Sequence, residues 1–281
     1  MAEEAECVVA DLTDANELRK KLRQLRPEWI FHLAAYGAYS FQTQTRAMID
    51  INIGGTLNLV QAATETGFEV FVNTGSSSEY GFKNHPTTEN DVLEPNSFYA
   101  VTKAAGTLLC QHIARSQNLR TPTLRLYSVY GPYEDSERLI PTLIRHGLAG
   151  QLPRLASPNI ARDFVHVDDV CDAYLSAVTA RLDDPGSIIN IGTGVQTRLN
   201  EIVSITRAIL EIEQEPEWDS MPARAWDCDT WIADVTKAEI KLSWRAKIDI
   251  RRGLARTIDW CRQHLEWLDP VRSARRGHSA D

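Results

Sequence analysis

The sequence predicts an α/β protein in which a twisted parallel sheet is followed by a smaller, mixed α/β lobe. Two observations predict the sheet: short apolar runs alternate with helical patterns, and the connections between them take only a few residues. A third observation predicts the lobe, because from about Pro132 the loops lengthen and tryptophans become frequent. A chain of 281 residues is long enough to bury a substantial core.

The first predicted elements are a short strand at Cys7–Ala10 and a helix at Ala15–Leu25. Either Thr13 or Asp14 can cap this helix, since short polar side chains accept hydrogen bonds from its free amides. The run Trp29–Ala35 is apolar throughout, which is typical of a strand buried on both faces.

The following elements continue the alternation. A helix near Arg46–Glu65 is interrupted by two glycines, and after it we expect a strand at Glu69–Asn73, a helix at Pro95–Asn118 and a strand at Pro122–Tyr127. Parallel sheets bind ligands at the carboxyl ends of their strands, so the residues that follow each strand are candidate site residues. Three of these four strand ends are small, polar or rich in glycine.

Composition excludes several classes of protein. With 30 basic and 38 acidic side chains the net charge is −8, which does not favour nucleic-acid binding. No apolar run approaches the roughly 18 residues that span a bilayer, and the acidic N-terminus does not resemble a signal peptide. Five scattered cysteines without metal-ligand spacing indicate reduced thiols, no metal site and a cytoplasmic location.

The sharpest chemical signal is Tyr99 followed four residues later by Lys103, within a predicted helix. Residues at this spacing share a helix face, so the ammonium can stabilise the phenolate and allow proton exchange with a substrate oxygen. The same pattern also occurs by chance on helix surfaces. Ser76, at the end of a predicted strand, offers a hydroxyl for the same oxygen, although serine is also common in turns.

Eight segments in this chain order resemble the extended short-chain dehydrogenase/reductases, specifically their nucleotide-sugar epimerase/dehydratase/reductase group. The segments are 11–14, 31–35, 50–56, 71–81, 95–103, 125–132, 162–169 and 190–194. The resemblance runs from about Val8 to Trp260 and implies a Rossmann-type sheet with a substrate lobe. We therefore expect a partial dinucleotide-binding domain at 1–131, a mainly nucleotide-sugar-binding lobe with returning Rossmann elements at 132–270, and a flexible tail at 271–281.

The resemblance implies roles for individual residues. Ser76, Tyr99 and Lys103 would be catalytic, with Lys103 also binding the nicotinamide ribose. The residues implied to contact NAD or NADP are Asp11, Leu12, Leu33, Ala34, Ala35, Gly37, Asn52, Tyr99, Lys103 and Tyr127. The residues implied to bind the nucleotide-diphosphate sugar are Ser77, Ser128, Arg162 and Arg224, the arginines through their forked donors.

The sequence departs from the family at three places. The Gly-x-x-Gly-x-x-Gly turn that receives the cofactor pyrophosphate is absent, so the chain is interpreted as starting at a later strand of the sheet. Either the start of the gene is misassigned, the sequence is truncated, or the protein does not hold a dinucleotide, and we favour truncation. Ser77 and Ser78 stand where the 4,6-dehydratases carry Asp-Glu, which disfavours elimination of water. Ser128 and Gly106 replace an asparagine and a glutamate that many members have.

These observations predict an NAD(P)-dependent nucleotide-sugar oxidoreductase that acts at sugar C4, either a 4-epimerase or a 4-keto reductase. The alternative is a truncated, catalytically inactive protein that binds nucleotide-sugars or serves interactions, since the glycine turn is missing. The family also implies a homodimer, formed through helices near Gly55–Glu65 and Ser97–Arg115.

Overall fold

The computed structural model describes residues 5–39, 41–221 and 227–269, which form two compact units. Unit 1 comprises Met1–Gly81, Glu89–Leu126 and Tyr174–Ile189, and unit 2 comprises Phe82–Thr88, Tyr127–Ala173 and Asn190–Asp281. Helices α1 to α9 span Ala15–Leu25, Thr45–Ile49, Thr56–Thr66, Phe98–Gln117, Leu139–Leu148, Val167–Thr179, Leu199–Leu210, Thr236–Leu242 and Ile250–Gln263. Strands β1 to β8 span Trp29–His32, Val70–Ser76, Thr123–Leu126, Ser128–Tyr130, Ala161–Arg162, Phe164–His166, Ile188–Ile191 and Thr197–Arg198.

The main sheet of unit 1 has, among the described residues, the strand order β1-β2-β3-β7. β1 pairs in parallel with β2, and β2 pairs in parallel with β3, as strand–helix–strand connections require. One face is covered by α1, α3 and α4, which share a core with the sheet. That core consists of Leu18, Leu22, Val60, Ala62, Ala63, Phe71, Cys110 and Ile113. The predicted α/β fold with a parallel sheet is confirmed.

The boundaries of several helices follow from local sequence. Asp14 caps α1 by accepting hydrogen bonds from the amides of Asn16 and Glu17, both at 2.9 Å. The predicted helix at Arg46–Glu65 consists of α2, a π-helical segment at Asp50–Gly55, and α3. Gly54 and Gly55 therefore do not end the helix; they lie in a π-helical segment, whose turns are wider than those of an α-helix.

Two predictions about the first strands are wrong. Within the described residues Cys7–Ala10 forms no strand, and Val9 is 86% exposed. β1 is not buried on both faces: Trp29 is 47% and Phe31 is 37% exposed, whereas His32 is buried. Side chains alternate between faces along a strand, so Trp29 and Phe31 share one face of β1, which is only partly covered. Phe31 makes an edge-to-face contact with Tyr174 of α6, with 5.8 Å between the ring centres. β1 is the outermost strand of the described sheet, where fewer neighbouring side chains cover this face.

Unit 2 has a separate core around α5, α7 and α9. Its sheets are small: β4 pairs in parallel with β6, and β5 pairs in antiparallel fashion with β8. The core consists of Tyr130, Ile140, Leu143, Ile144, Leu152, Leu155, Leu199, Ile202, Val203, Ile212, Leu254, Ile258, Cys261 and Leu268. Within the described part of the chain, every helix is too short or too polar to cross a membrane.

Candidate active site

The serine loop, residues 76–79, follows the carboxyl end of β2, an inner strand of the sheet. The hydroxyl oxygen of Ser76 accepts a hydrogen bond from the amide of Ser78 at 3.2 Å and lies 2.8 Å from the Ser78 hydroxyl. In return, the Glu79 carboxylate accepts a hydrogen bond from the Ser76 amide. This reciprocal capping fixes Ser76 at the edge where ligands of parallel sheets bind.

Tyr99 and Lys103 lie one turn apart near the start of α4. The helix is capped by Ser97, whose hydroxyl oxygen accepts a hydrogen bond from the Ala100 amide at 3.1 Å. Tyr99 is half-buried and Lys103 is buried. Burial lowers the pKa of the Lys103 ammonium, and the negative charge of Glu79 acts in the opposite direction. Because Tyr99 and Lys103 lie four residues apart on α4, their side chains share a helix face, as the sequence spacing predicts.

His32 ends β1 beside this helix. Burial, and then the charge of Lys103, lower its pKa to about 4. The imidazole is therefore neutral at physiological pH, and its Nε2 lies 2.9 Å from the hydroxyl of Thr56. It adds no positive charge near Lys103.

The cofactor-binding residues implied by the resemblance lie in several places. Leu33, Ala34, Ala35 and Gly37 follow β1, and Tyr127 follows β3, whereas Asp11 and Leu12 precede α1 and follow no described strand. Asn52 lies in the π-helical segment, and Tyr99 and Lys103 lie on α4. Leu33 is 56% exposed, and Ala34 is also exposed. The exposed carboxylate of Asp11 accepts hydrogen bonds from the amide and hydroxyl of Thr13 at 2.7 and 2.8 Å, which lowers its pKa. Leu12 packs so closely on Gly55 that a Cβ there would lie 2.8 Å from the Leu12 Cβ.

Asn52 and Gly37 shape the loop after β1. The Asn52 amide group donates to the carbonyl of Tyr36 at 2.7 Å and to the hydroxyl of Thr102 at 2.9 Å, and its oxygen accepts from the Tyr36 amide at 2.8 Å. It thereby joins this loop to α4. Gly37 has φ +97°, a conformation that favours glycine, and Ala35 beside it is half-buried.

Further residues implied by the resemblance belong to unit 2. Tyr127 is buried and its hydroxyl contacts the hydroxyl of Thr87. The amide of the half-buried Ser128 donates to the carbonyl of Asp163 at 2.9 Å. Arg224 lies outside the described residues.

Arg162 is held in place by several contacts within unit 2. Its guanidinium donates to the carbonyl of Ala161 at 2.7 Å and to the sulfur of Cys228 at 3.3 Å. It also lies 5.2 Å from the ring centre of Trp231, which is cation–π range. These contacts orient the guanidinium before any ligand arrives.

In the described ranges, no three His, Cys, Asp or Glu side chains form a group that could hold a metal ion.

Comparison with known proteins assigns this chain to a family. The profile of the "NAD dependent epimerase/dehydratase family" matches residues 1–192, which is more than half of the chain. The chain belongs to this family. The predicted resemblance is therefore confirmed.

Several known proteins are similar to this chain along most of its length. A UDP-glucose 4-epimerase of Mycolicibacterium smegmatis is 31% identical over 270 residues, covering 92% of this chain and 83% of the relative. The structure of UDP-glucose 4-epimerase from Thermotoga maritima with UDP-glucose is 27% identical, with a TM-score of 0.86, covering 94% and 86%. The structure of MoeE5 with UDP-glucuronic acid and NAD is 32% identical in sequence, with a TM-score of 0.82, and the match covers 92% of this chain and 85% of MoeE5.

The sequence analysis assigned no role to Glu79, which lies in the candidate site. The residue is part of a matching segment, but no motif gave it a role. Its partner Arg125 lies 46 residues further along the chain, so only the folded structure shows the contact. The available signal was an acidic residue three positions after the candidate serine, which is the spacing of a capping box.

Proposed function

We propose that this chain catalyses an NAD-dependent reaction at C4 of a nucleotide-bound sugar, as a 4-epimerase or a 4-keto reductase. Its family and the activities of the relatives named above support this function. The observation that carries it is the arrangement of α4, where half-buried Tyr99 lies one turn from buried Lys103. The serine loop is joined to the same helix through Glu79, whose carboxylate also accepts a hydrogen bond from Thr107.

In the proposed epimerase reaction, Tyr99 takes the proton of the C4 hydroxyl as that carbon is oxidised to a ketone. The bound keto sugar then rotates and is reduced at its other face, and Tyr99 returns the proton to the same oxygen. The overall reaction therefore has no net redox change. The Ser76 hydroxyl donates a hydrogen bond to that oxygen, and the Lys103 ammonium stabilises the phenolate. Bound NAD would supply the hydride acceptor and donor for C4.

The residues after β1 fit the apolar parts of a dinucleotide. Leu33 and Ala34 present exposed apolar surface, and the small residues Ala35 and Gly37 follow them. The carboxylate of Asp11 is held ionised by Thr13, so it can accept a hydrogen bond from the adenine amine. Lys103 would bind the nicotinamide ribose. The structure of MoeE5 contains NAD, which supports NAD rather than NADP as the cofactor of this chain.

The substrate in this proposal is a nucleotide-diphosphate sugar, the class of molecule bound by the two structures compared above. Arg162 is oriented by Trp231 and by the carbonyl of Ala161, and its forked donors suit the diphosphate. We assign contacts with the sugar or phosphate to Ser77 and Ser128, of which Ser77 is buried in the structure and Ser128 is half-buried.

The serine loop favours epimerase or reductase chemistry over dehydration. Elimination of water needs a carboxylic acid and a base beside the catalytic hydroxyl, and Ser77 and Ser78 supply neither. The nearby carboxylate of Glu79 cannot take their place, because it has no exposed surface and is engaged by Arg125.

The proposal is tested by incubating purified protein with NAD and UDP-glucose or UDP-glucuronic acid, and following the C4 epimer by proton NMR. A reductase would instead consume NADH or NADPH with a nucleotide-bound 4-keto sugar. Tyr99→Phe should lower kcat on the order of 10²–10⁴-fold while substrate affinity changes little. Tyr133→Phe, the same change at an exposed tyrosine of unit 2, is the matched control. Near-normal kcat in Tyr99→Phe, or no turnover by wild type in either assay, would refute the proposal.

We also propose that the protein is a homodimer. The outer face of α4 exposes three apolar side chains at helical spacing, Phe98, Val101 and Leu108, with exposed fractions of 65%, 46% and 52%. A second copy of the chain, which presents the same face, would cover them.

A further inference from the structure

Glu79 is a carboxylate without exposed surface in the turn that follows Ser76. Its side chain is 0% exposed, and that of its ion-pair partner Arg125 is 2% exposed, with 2.8 Å between Oε2 and Nε. Charged side chains are rarely buried this completely, because removing a charge from water is costly even when it is paired. A capping box requires only that the carboxylate accepts a hydrogen bond from the N-cap amide, so capping alone does not explain this burial.

The carboxylate of Glu79 joins three elements of unit 1. Its Oε1 accepts hydrogen bonds from the Ser76 amide at 2.8 Å and from the Thr107 hydroxyl at 3.0 Å. Its Oε2 accepts from Arg125 on β3. Thr107 lies one turn beyond Lys103 on α4, so a single side chain sets the distance between the serine loop and the helix that carries Tyr99.

The carboxylate of Glu79 is closely packed on the side that faces Gly75. A Cβ on Gly75 would lie 2.8 Å from Oε1 of Glu79, 2.9 Å from Cγ of Arg125 and 2.9 Å from Cγ2 of Thr123. The Arg125 guanidinium is in turn stacked on the ring of Tyr80, 4.6 Å from its centre. A side chain at position 75 would therefore displace the Glu79–Arg125 pair.

The charged and titratable groups that interact with Lys103 or with Glu79 lie on several elements. Lys103 interacts with Glu79, with the Cys110 thiol on α4 and with His32 on β1. Glu79 also interacts with Arg125 on β3 and with Tyr80, on which the charge of Glu89 acts as well. Of these, Cys110, Tyr80 and His32 are neutral at physiological pH: burial raises the pKa of Cys110 and that of Tyr80 to about 12, and lowers that of His32 to about 4. Glu79 is then the main negative charge that acts on the Lys103 ammonium.

We propose that Glu79 is a positioning residue for the reaction: it holds Ser76 against α4, and its charge balances the buried ammonium of Lys103. This inference rests on the proposed function, in which Ser76, Tyr99 and Lys103 act on one substrate oxygen. Glu79 itself touches neither substrate nor cofactor in this assignment.

The test uses Glu79→Gln, which keeps the size of the side chain and an oxygen for the Ser76 amide but removes the charge. Without that charge Lys103 loses its proton at lower pH, so the alkaline limb of the kcat profile should shift to lower pH by about one unit. We expect kcat to fall about 10–100-fold while KM changes less than about 3-fold, as for other residues that orient a catalytic group.

A second measurement does not depend on catalysis. Acetic anhydride acylates only neutral amines, so the pH at which Lys103 becomes labelled, read by mass spectrometry, reports its ionisation. In Glu79→Gln this pH should fall, with the exposed Lys20 of the same sample as internal reference. Glu65→Gln is the matched control, since it removes an ion-paired carboxylate of unit 1 that faces Arg19 and Arg23 of α1.

Glu79→Gln leaves Arg125 buried without its counter-ion and can fail to fold for that reason alone. The double variant Glu79→Gln/Arg125→Met removes both charges and keeps a long side chain at 125. A folded double variant with wild-type kcat, pH profile and Lys103 labelling would overturn the proposal and leave Glu79 a stabilising contact only. If wild type has no turnover, the proposed function fails, and the assignment of Glu79 to that reaction falls with it. The labelling still decides whether Glu79 sets the ionisation of Lys103.

Discussion

Asp163 shows how much a single buried side chain can organise. Its carboxylate is 0% exposed and accepts four hydrogen bonds, from the amides of Thr193, Gly194 and Ala233 and from the Thr193 hydroxyl, at 2.6–3.1 Å. Next to it in sequence lies Arg162, the proposed diphosphate ligand. Asp163 thus ties the chain directly after that arginine to Thr193, Gly194 and Ala233.

Replacing Asp163 by alanine should destabilise the protein by about 3–5 kcal/mol, because several buried donors lose their acceptor at once. Urea unfolding followed by circular dichroism measures the change. Asp163→Asn retains one acceptor oxygen and should lose less. If the alanine variant is as stable as wild type, these hydrogen bonds do not stabilise the fold as described.

Glu134 gives a pH dependence of stability. Burial raises its pKa from 4.5 to about 7, against the opposing effect of Arg138. Between these pH values the folded protein binds a proton that the unfolded chain has released, so stability falls as pH rises. The contribution lost between about pH 4.5 and 7 is about 3 kcal/mol. Glu134→Gln should show a flatter stability curve between pH 5 and 8; an unchanged slope would contradict this assignment.

At the scale of elements, the contact of α9 with β4 depends on the lack of a side chain at Gly253. A Cβ at this position would overlap the hydroxyl of Tyr130, which is buried and makes no hydrogen bond to the described residues. The helix can approach the strand this closely only with glycine.

Gly253→Ala should therefore cost about 1–3 kcal/mol of stability through overpacking. Tyr130→Phe should be neutral or stabilising, since it removes an unpaired buried hydroxyl. The double variant should recover part of the loss, and a double-mutant cycle in urea measures the coupling. Simple additivity of the two changes would mean that the hydroxyl is not what Gly253 avoids.

Elements whose cause is local were predicted well from the sequence. Asp14, one of the two predicted caps, begins α1, because capping depends on neighbours in sequence. The predicted start of the fourth helix at Pro95 lies a few residues before the observed start of α4 at Phe98, whose cap Ser97 was not predicted. The exposure of β1 was not predicted, since burial depends on which strands lie beside it. In the site, the Tyr99–Lys103 spacing was visible in sequence, whereas the Glu79–Arg125 pair joins separate elements and was not.

At the scale of the whole molecule, the proposed homodimer makes a prediction about mass in solution. Val101→Glu/Leu108→Glu places two charges on the exposed face of α4, where a second copy would otherwise bury apolar side chains. Light scattering should then change from the mass of two chains to that of one, while circular dichroism should show that each chain stays folded, because both positions are exposed in a single chain. A wild-type mass of one chain would refute the dimer.

The partly exposed face of β1 has a consequence for handling the protein. Trp29, Phe31 and Leu33 present aromatic and aliphatic surface beside a strand that ends the described sheet. The unpaired backbone groups of such an edge strand can pair with another extended chain. More of the protein should therefore precipitate as its concentration rises. Dilute storage, or a mild detergent that coats the rings, should keep more of the protein in solution.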